Sequence, residues 1–166
     1  MKRQKIICLI GASNATKDEQ EFAYQTGKLV AQKGYILCCG GKGGVMSAAC
    51  QAAYEQGGLT IGLLPKDDGS DDNGFLSIRI PTGIGHARNK MVADTADAII
   101  AIGGSYGTLS EIAYARIQNK MVFAYKSWRL FQNSQTAADS GIVEVKTPQE
   151  AVNEAIEYIR GKYDSY

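Results

Sequence analysis

Short apolar runs alternate along the chain with polar stretches punctuated by glycine. Ile6–Ile10, Tyr35–Cys39, Leu59–Leu64, Ala98–Ile102, Met121–Tyr125 and Gly141–Val145 have the length of strands, and most are close to continuously apolar. That pattern predicts strands buried on both faces. Between them the period changes to that of a helix. Phe22, Thr26, Leu29, Val30 and Lys33 share one helical face, opened by Asp18 with Glu21 as its capping-box partner and closed by Gly34. Further helices are predicted over Val45–Gln56, Ala87–Thr95 and Thr108–Asn119. Thr147 as N-cap, Pro148 as first helical residue and Glu150 two positions on start a final helix. An acidic loop over 66–74, an extended segment Leu76–Ile80 and a polar connection over 126–140 complete the chain.

Strands that alternate with helices at this spacing build βαβ units, and right-handed crossovers place the helices on both faces of a parallel sheet. The expected fold class is α/β: a single Rossmann-like, doubly wound parallel sheet forming one domain over residues 1–166. Ligands in such folds bind beyond the carboxyl ends of the strands.

Length and charge narrow the partners. The chain has 166 residues, 45% of them apolar, enough for one full core. A net charge of +1 supplies no field for nucleic acid or an anionic membrane, and no apolar stretch approaches a membrane span. Ile6–Ile10 stops at Gly11 without a cleavage pattern, so a cytoplasmic protein without a signal peptide is expected. Cys8, Cys38, Cys39 and Cys50 form no CxxC pair and His86 stands alone, so no metal site is expected and the cysteines read as small core residues.

The chemistry concentrates in three turns that follow strands: Gly11-Ala12-Ser13, Gly40-Gly41-Lys42-Gly43-Gly44 and Gly103-Gly104-Ser105-Tyr106-Gly107-Thr108. Glycine lets the backbone approach a ligand closely, and the free N–H groups of the helix that follows, with its dipole, favour an anion. One such loop often needs glycine only for its turn; several on one sheet edge point to a phosphate. No glycine loop ends in Gly-Lys-Ser/Thr, and the GxGxxG fingerprint is absent after the first strand, which argues against ATP hydrolysis and dinucleotide binding. Candidate phosphate-binding residues are therefore Gly11, Ser13, Gly40, Gly41, Lys42, Gly43, Gly103, Gly104, Ser105, Tyr106, Gly107 and Thr108. Arg88 and Glu111 fall near the same edge. An arginine can clamp a phosphate or hold a carboxylate, and a carboxylate can stabilise a cationic sugar or activate water. Each also has an ordinary reading, Arg88 in a surface ion pair and Glu111 as a first-turn helix acid. His86 reaches the same edge, while Tyr106 and Trp128 offer rings for stacking or for packing.

The segments Gly40–Met46, Thr60–Pro65 and Gly103–Glu111 resemble the LOG-type family, once labelled "lysine decarboxylase-like". Its hallmark is a PGGxGTxxE loop with an arginine one helix earlier, and Glu111 and Arg88 fall on those positions. The chain departs from the pattern at Val92, where methionine is usual. Ile80–Asn89 and Ser127-Trp128 resemble a short branch that includes molybdenum cofactor carrier proteins. The resemblance implies either of two activities. One is binding of a phosphorylated, ring-bearing ligand, a molybdopterin-type cofactor or a nucleoside monophosphate, with no cofactor of its own required. The other is hydrolysis of the N-glycosidic bond of a nucleoside 5'-monophosphate, with Arg88 and Glu111 catalytic. No lysine is placed for decarboxylase chemistry. The resemblance also implies a homo-oligomer, a dimer or tetramer, and surplus apolar residues such as Ile112, Ala113 and Tyr114 point the same way.

Overall fold

The computed structural model describes residues 3–131 and 136–163. Its strands are β1 Ile6–Gly11, β2 Ile36–Cys39, β3 Thr60–Leu64, β4 Ile78–Pro81, β5 Ala98–Ile102, β6 Val122–Tyr125 and β7 Ile142–Glu144. Its helices are α1 Lys17–Gln32, α2 Val45–Glu55, α3 Asn89–Thr95, α4 Tyr106–Ile117 and α5 Pro148–Tyr163, with a 3-10 turn, Gly85–Arg88, leading into α3. The seven strands form one sheet in the order β4-β3-β2-β1-β5-β6-β7, every neighbouring pair parallel. The fold class is therefore the expected one. No helix among the described residues is long and apolar enough to cross a membrane.

Alternation within each strand divides the core into two layers. Ile7, Leu9, Leu37 and Ile100 pack with α1, α2 and α5, whereas Cys8, Ile10, Cys38 and Ile99 pack with α3 and α4. Both faces are covered, which explains why the strands read as continuous apolar runs rather than alternating ones. Helices α1 and α2 touch at their backbones: a Cβ on Gly27 would lie 2.1 Å from the Ala49 carbonyl oxygen.

The strand order decides where a ligand crevice opens. From β1 the chain moves outward through β2 and β3 to β4, then returns to the other side of β1 as β5. The loop after β1 leads to α1 on one face and the loop after β5 leads to α4 on the opposite face. They part at the carboxyl edge between β1 and β5, where Gly11 pairs in register with Ile102.

Several boundaries differ from the sequence expectation, each for a local reason. Helix α1 starts one residue before Asp18, because Thr16 and Glu19 form the capping box. The Thr16 hydroxyl accepts the Glu19 N–H at 3.2 Å, and the Glu19 carboxylate accepts the Thr16 N–H at 2.8 Å. Asp18 instead accepts from Tyr125 Oη at 2.7 Å and Lys126 Nζ at 2.8 Å. Strand β4 starts at Ile78, since Leu76 turns inward to cover Gly62 and join the core. Helix α4 begins at Tyr106, two residues before Thr108, which brings the glycine turn into its first turn. Ile112 is fully buried in the core and Tyr114 packs partly against it, so of the three residues expected to be surplus only Ala113 is exposed.

Candidate functional site

Strand β1 ends in a loop tied to its neighbours through the backbone. The Ala12 N–H donates to the Ile102 carbonyl at 3.3 Å, and the Ala12 carbonyl accepts the Val45 N–H at 3.0 Å. Beyond β5, Gly103 at φ 55° and Gly104 at φ 101° take backbone angles that L side chains avoid, and the chain reverses into α4. A Cβ on Gly104 would meet Thr108 Oγ1 at 2.2 Å, so this turn closes on its own helix. Ser105 precedes α4 without a side-chain cap. The first-turn N–H groups, which a helix cannot satisfy internally, are left for whatever occupies the space ahead of them.

That space is a cleft of about 120 Å³. The structure brings Gly11, Ser13, Lys42, Ser105, Gly107 and Thr108 to its walls, together with Arg88, Glu111 and the exposed His86. Two further residues line it, Met46 from α2 and Asn89 from α3. Neither carried a sequence signal of its own, although Asn89 is the neighbour of Arg88. Asn89 Nδ2 donates to Ser110 Oγ at 2.9 Å and to the Gly107 carbonyl at 3.3 Å, which fastens the first turn of α4 to the start of α3.

Other glycines of the pattern stand behind the cleft rather than in its walls. Gly40 lies against the Arg88 guanidinium, where a Cβ would sit 2.3 Å from Nη1, and Gly41 at φ 74° packs on Leu64. Gly103 faces the Glu19 carboxylate, which a Cβ would approach to 2.1 Å. Gly43 opens onto a neighbouring depression beside Ser13. Tyr106 is 79% exposed and tilts over Trp128 at 5.7 Å between ring centroids. Trp128 Nε1 donates to the Ser105 carbonyl at 3.2 Å, so its indole braces the loop from outside. It lines a separate cavity of about 410 Å³ with Arg129, Ile142 and Glu144.

Arg88 and Glu111 give the cleft its electrostatic character. They are 5% and 6% exposed, with Nη1 and Oε1 3.7 Å apart. That separation is beyond hydrogen-bond range, so the attraction is real but incomplete. Burial pushes the Glu111 carboxyl up to about 8, and the Arg88 charge pulls it down by less. At neutral pH Glu111 is therefore mostly a neutral acid. Arg88 Nε is buried without a hydrogen-bond partner. Leaving a charged donor unsatisfied in the interior is costly.

Residues 4–152 match the family model described as the SLOG cluster4 family. The chain belongs to this family. An uncharacterised protein of Archaeoglobus fulgidus is 41% identical over 151 residues, covering 90% of this chain and 93% of its own. The molybdenum cofactor binding protein of Rippkaea orientalis superposes with a TM-score of 0.85 at 31% identity, over 96% of this chain and 99% of that one. The molybdenum cofactor carrier protein of Chlamydomonas reinhardtii gives 0.81 at 28% identity, over 95% and 99%. A probable cytokinin riboside 5'-monophosphate phosphoribohydrolase of Oryza sativa is 34% identical over 121 residues, 66% of this chain and 45% of its own. This SLOG chain thus spans about half the length of that plant relative, but nearly the whole of the carrier and cofactor-binding proteins.

Proposed function

We propose that this SLOG protein binds a phosphorylated, ring-bearing small molecule as a carrier, with a molybdopterin-type cofactor as its cargo. The observation that carries the reading is the meeting of the Arg88 side chain and the uncapped start of α4 in the walls of one cleft. A phosphate there would accept hydrogen bonds from Arg88, from the first-turn N–H groups and from Thr108, and Lys42 would add charge at the rim. Glu111, held neutral by burial, would not repel the anion and could donate to it. The cleft is well below the roughly 300–1,000 Å³ of pockets that enclose a whole ligand. The residues present therefore fit the phosphate end of such a cargo, and its ring system would lie outside, where Tyr106 and His86 are exposed.

The Arg88–Glu111 pair also supports a second reading, N-glycosidic hydrolysis of a nucleoside 5'-monophosphate to free base and ribose 5-phosphate. Stabilising a cationic sugar centre would need Glu111 as a carboxylate, whereas its burial favours the neutral acid. That charge state weighs towards the carrier. Mass spectrometry of small molecules retained by the purified protein tests it, with a phosphorylated pterin as the expected species. In parallel, AMP and cytokinin monophosphates are incubated with wild type and Glu111→Ala and free base is measured. Release by wild type that is lost in the variant would replace the carrier by the enzyme.

A homo-oligomer, dimer or tetramer, goes with this reading. Met91 on α3 and Ile117 on α4 remain 37% and 75% exposed on the layer of helices that carries Arg88 and Glu111. Light scattering at micromolar concentration should give a multiple of the 17.8 kDa chain mass, and a monomer mass would refute this assembly.

A further inference from the structure

Directly behind the cleft, at the carboxyl end of β2, two buried thiols face each other. Cys39 Sγ and Cys50 Sγ are 3.4 Å apart, one at the last residue of β2 and the other on α2, and both side chains are fully buried. Cys39 Sγ also accepts the Gly41 N–H at 3.2 Å. The residue between them in sequence, Gly40, is the one on which the Arg88 guanidinium rests. The same thiol therefore touches the backbone of the glycine turn and lies next to the support of the cleft's main cation.

We propose that Cys39 and Cys50 form a reversible disulfide that acts as a redox-modification site controlling the glycine turn behind Arg88. The control of ligand affinity rests on the phosphate-site reading above; formation of the bond does not. The surroundings favour Cys39 as the attacking thiol. The Cys50 thiol, the Gly41 N–H and the Arg88 charge together draw its pKa below the ordinary value, against the effect of burial. With a peroxide as oxidant, the Cys39 thiolate attacks one oxygen and the O–O bond breaks. This leaves a sulfenic acid on Cys39 and, after protonation, one water. Cys50 sulfur then attacks Cys39 sulfur, expelling the sulfenic oxygen as a second water. Two thiols and one peroxide give one disulfide and two waters.

Closing the pair changes the turn. The sulfurs must move from 3.4 Å to a bond of about 2.05 Å, which draws the Cys39 side chain towards α2. Cys39 Sγ then no longer serves Gly41 as a thiolate-like acceptor, and Gly40 shifts under Arg88. Access is gated by the end of the acidic loop and the segment that follows it. Asn73 Nδ2 donates to the Lys42 carbonyl at 3.3 Å, and Leu76 packs on the Gly41 side of the turn. Oxidation therefore waits on the opening of this strap.

The test uses the reduced full chain treated with diamide, which takes up the two thiol hydrogens, followed by alkylation, trypsin and non-reducing mass spectrometry. Cleavage at lysine separates the Cys38/Cys39 peptide 34–42 from the Cys50 peptide 43–66 and the Cys8 peptide 6–17. A link between 34–42 and 43–66 is expected in wild type and Cys38→Ala, absent in Cys50→Ala and reversed by dithiothreitol. No link, or a link from 34–42 to 6–17 instead, overturns the pair. For the consequence, AMP affinity should fall roughly ten-fold on oxidation of wild type and stay unchanged for treated Cys50→Ala, as for the loss of one charge-assisted hydrogen bond. Equal AMP affinity of the linked and reduced protein overturns the control. Should reduced protein bind no AMP, the phosphate-site reading fails separately, and hydrogen exchange over residues 40–44 decides: a change on linking supports the control, no change overturns it.

Discussion

Replacing Gly107 by valine should abolish AMP binding, by two orders of magnitude or more, while the protein melts within a few degrees of wild type. Gly107 lies in the first turn of α4 and lines the cleft. A Cβ added there meets nothing within 4 Å, and its backbone has no positive φ, so the fold has no reason to resist. What the branched side chain does is occupy a cleft of only about 120 Å³. It stands where a phosphate would approach the helix N–H groups, and excluding the anion removes several charge-assisted hydrogen bonds at about 1.5–3 kcal/mol each. Calorimetry with AMP and thermal melting, run on the same preparation, separate the two effects. AMP affinity equal to wild type would place the phosphate elsewhere. A collapse in melting temperature would mean that Gly107 serves the fold.

The second large effect is on stability against pH. The ordinary carboxyl value is 4.5 and folding raises Glu111 to about 8. For a group raised on folding, stability is fully present below the unfolded value and is lost as pH rises through the folded value. Wild type should therefore lose stability between about pH 5 and pH 9, by on the order of 3–5 kcal/mol if the full shift is expressed. Arg88, the thiols of Cys8 and Cys39, and Lys42 and His86 at the cleft rim are other titratable or charged groups nearby, and Arg88 limits the loss by pairing with the carboxylate. Glu111→Gln, which cannot ionise, should be more stable than wild type at pH 9 and close to it at pH 5. Urea unfolding of both proteins at these two values measures the difference. Parallel curves would show that Glu111 is ionised at neutral pH, and would remove the objection to a cation-stabilising carboxylate.

The fold was legible because buried parallel strands need apolar side chains on both faces, and that requirement writes itself into local runs such as Ile6–Ile10 and Ala98–Ile102. Glycine turns were legible for a similar reason: Gly103 and Gly104 hold angles that other residues avoid, so their backbone demand is local. Helix starts were less so, since Asp18 with Glu21 and Thr16 with Glu19 both fit a capping box; the fold uses the second and gives Asp18 to Tyr125 and Lys126. What the sequence could not divide is the set of glycines itself. Gly107 faces the cleft whereas Gly40 supports Arg88 from behind, and the two differ only in what the folded chain places opposite them. The Asn89 clasp, the 3.4 Å approach of Cys39 to Cys50 and the raised pKa of Glu111 likewise belong to the tertiary structure. Each depends on contacts between segments distant in the chain or on exclusion of water, and neither a spacing nor a motif carries that information.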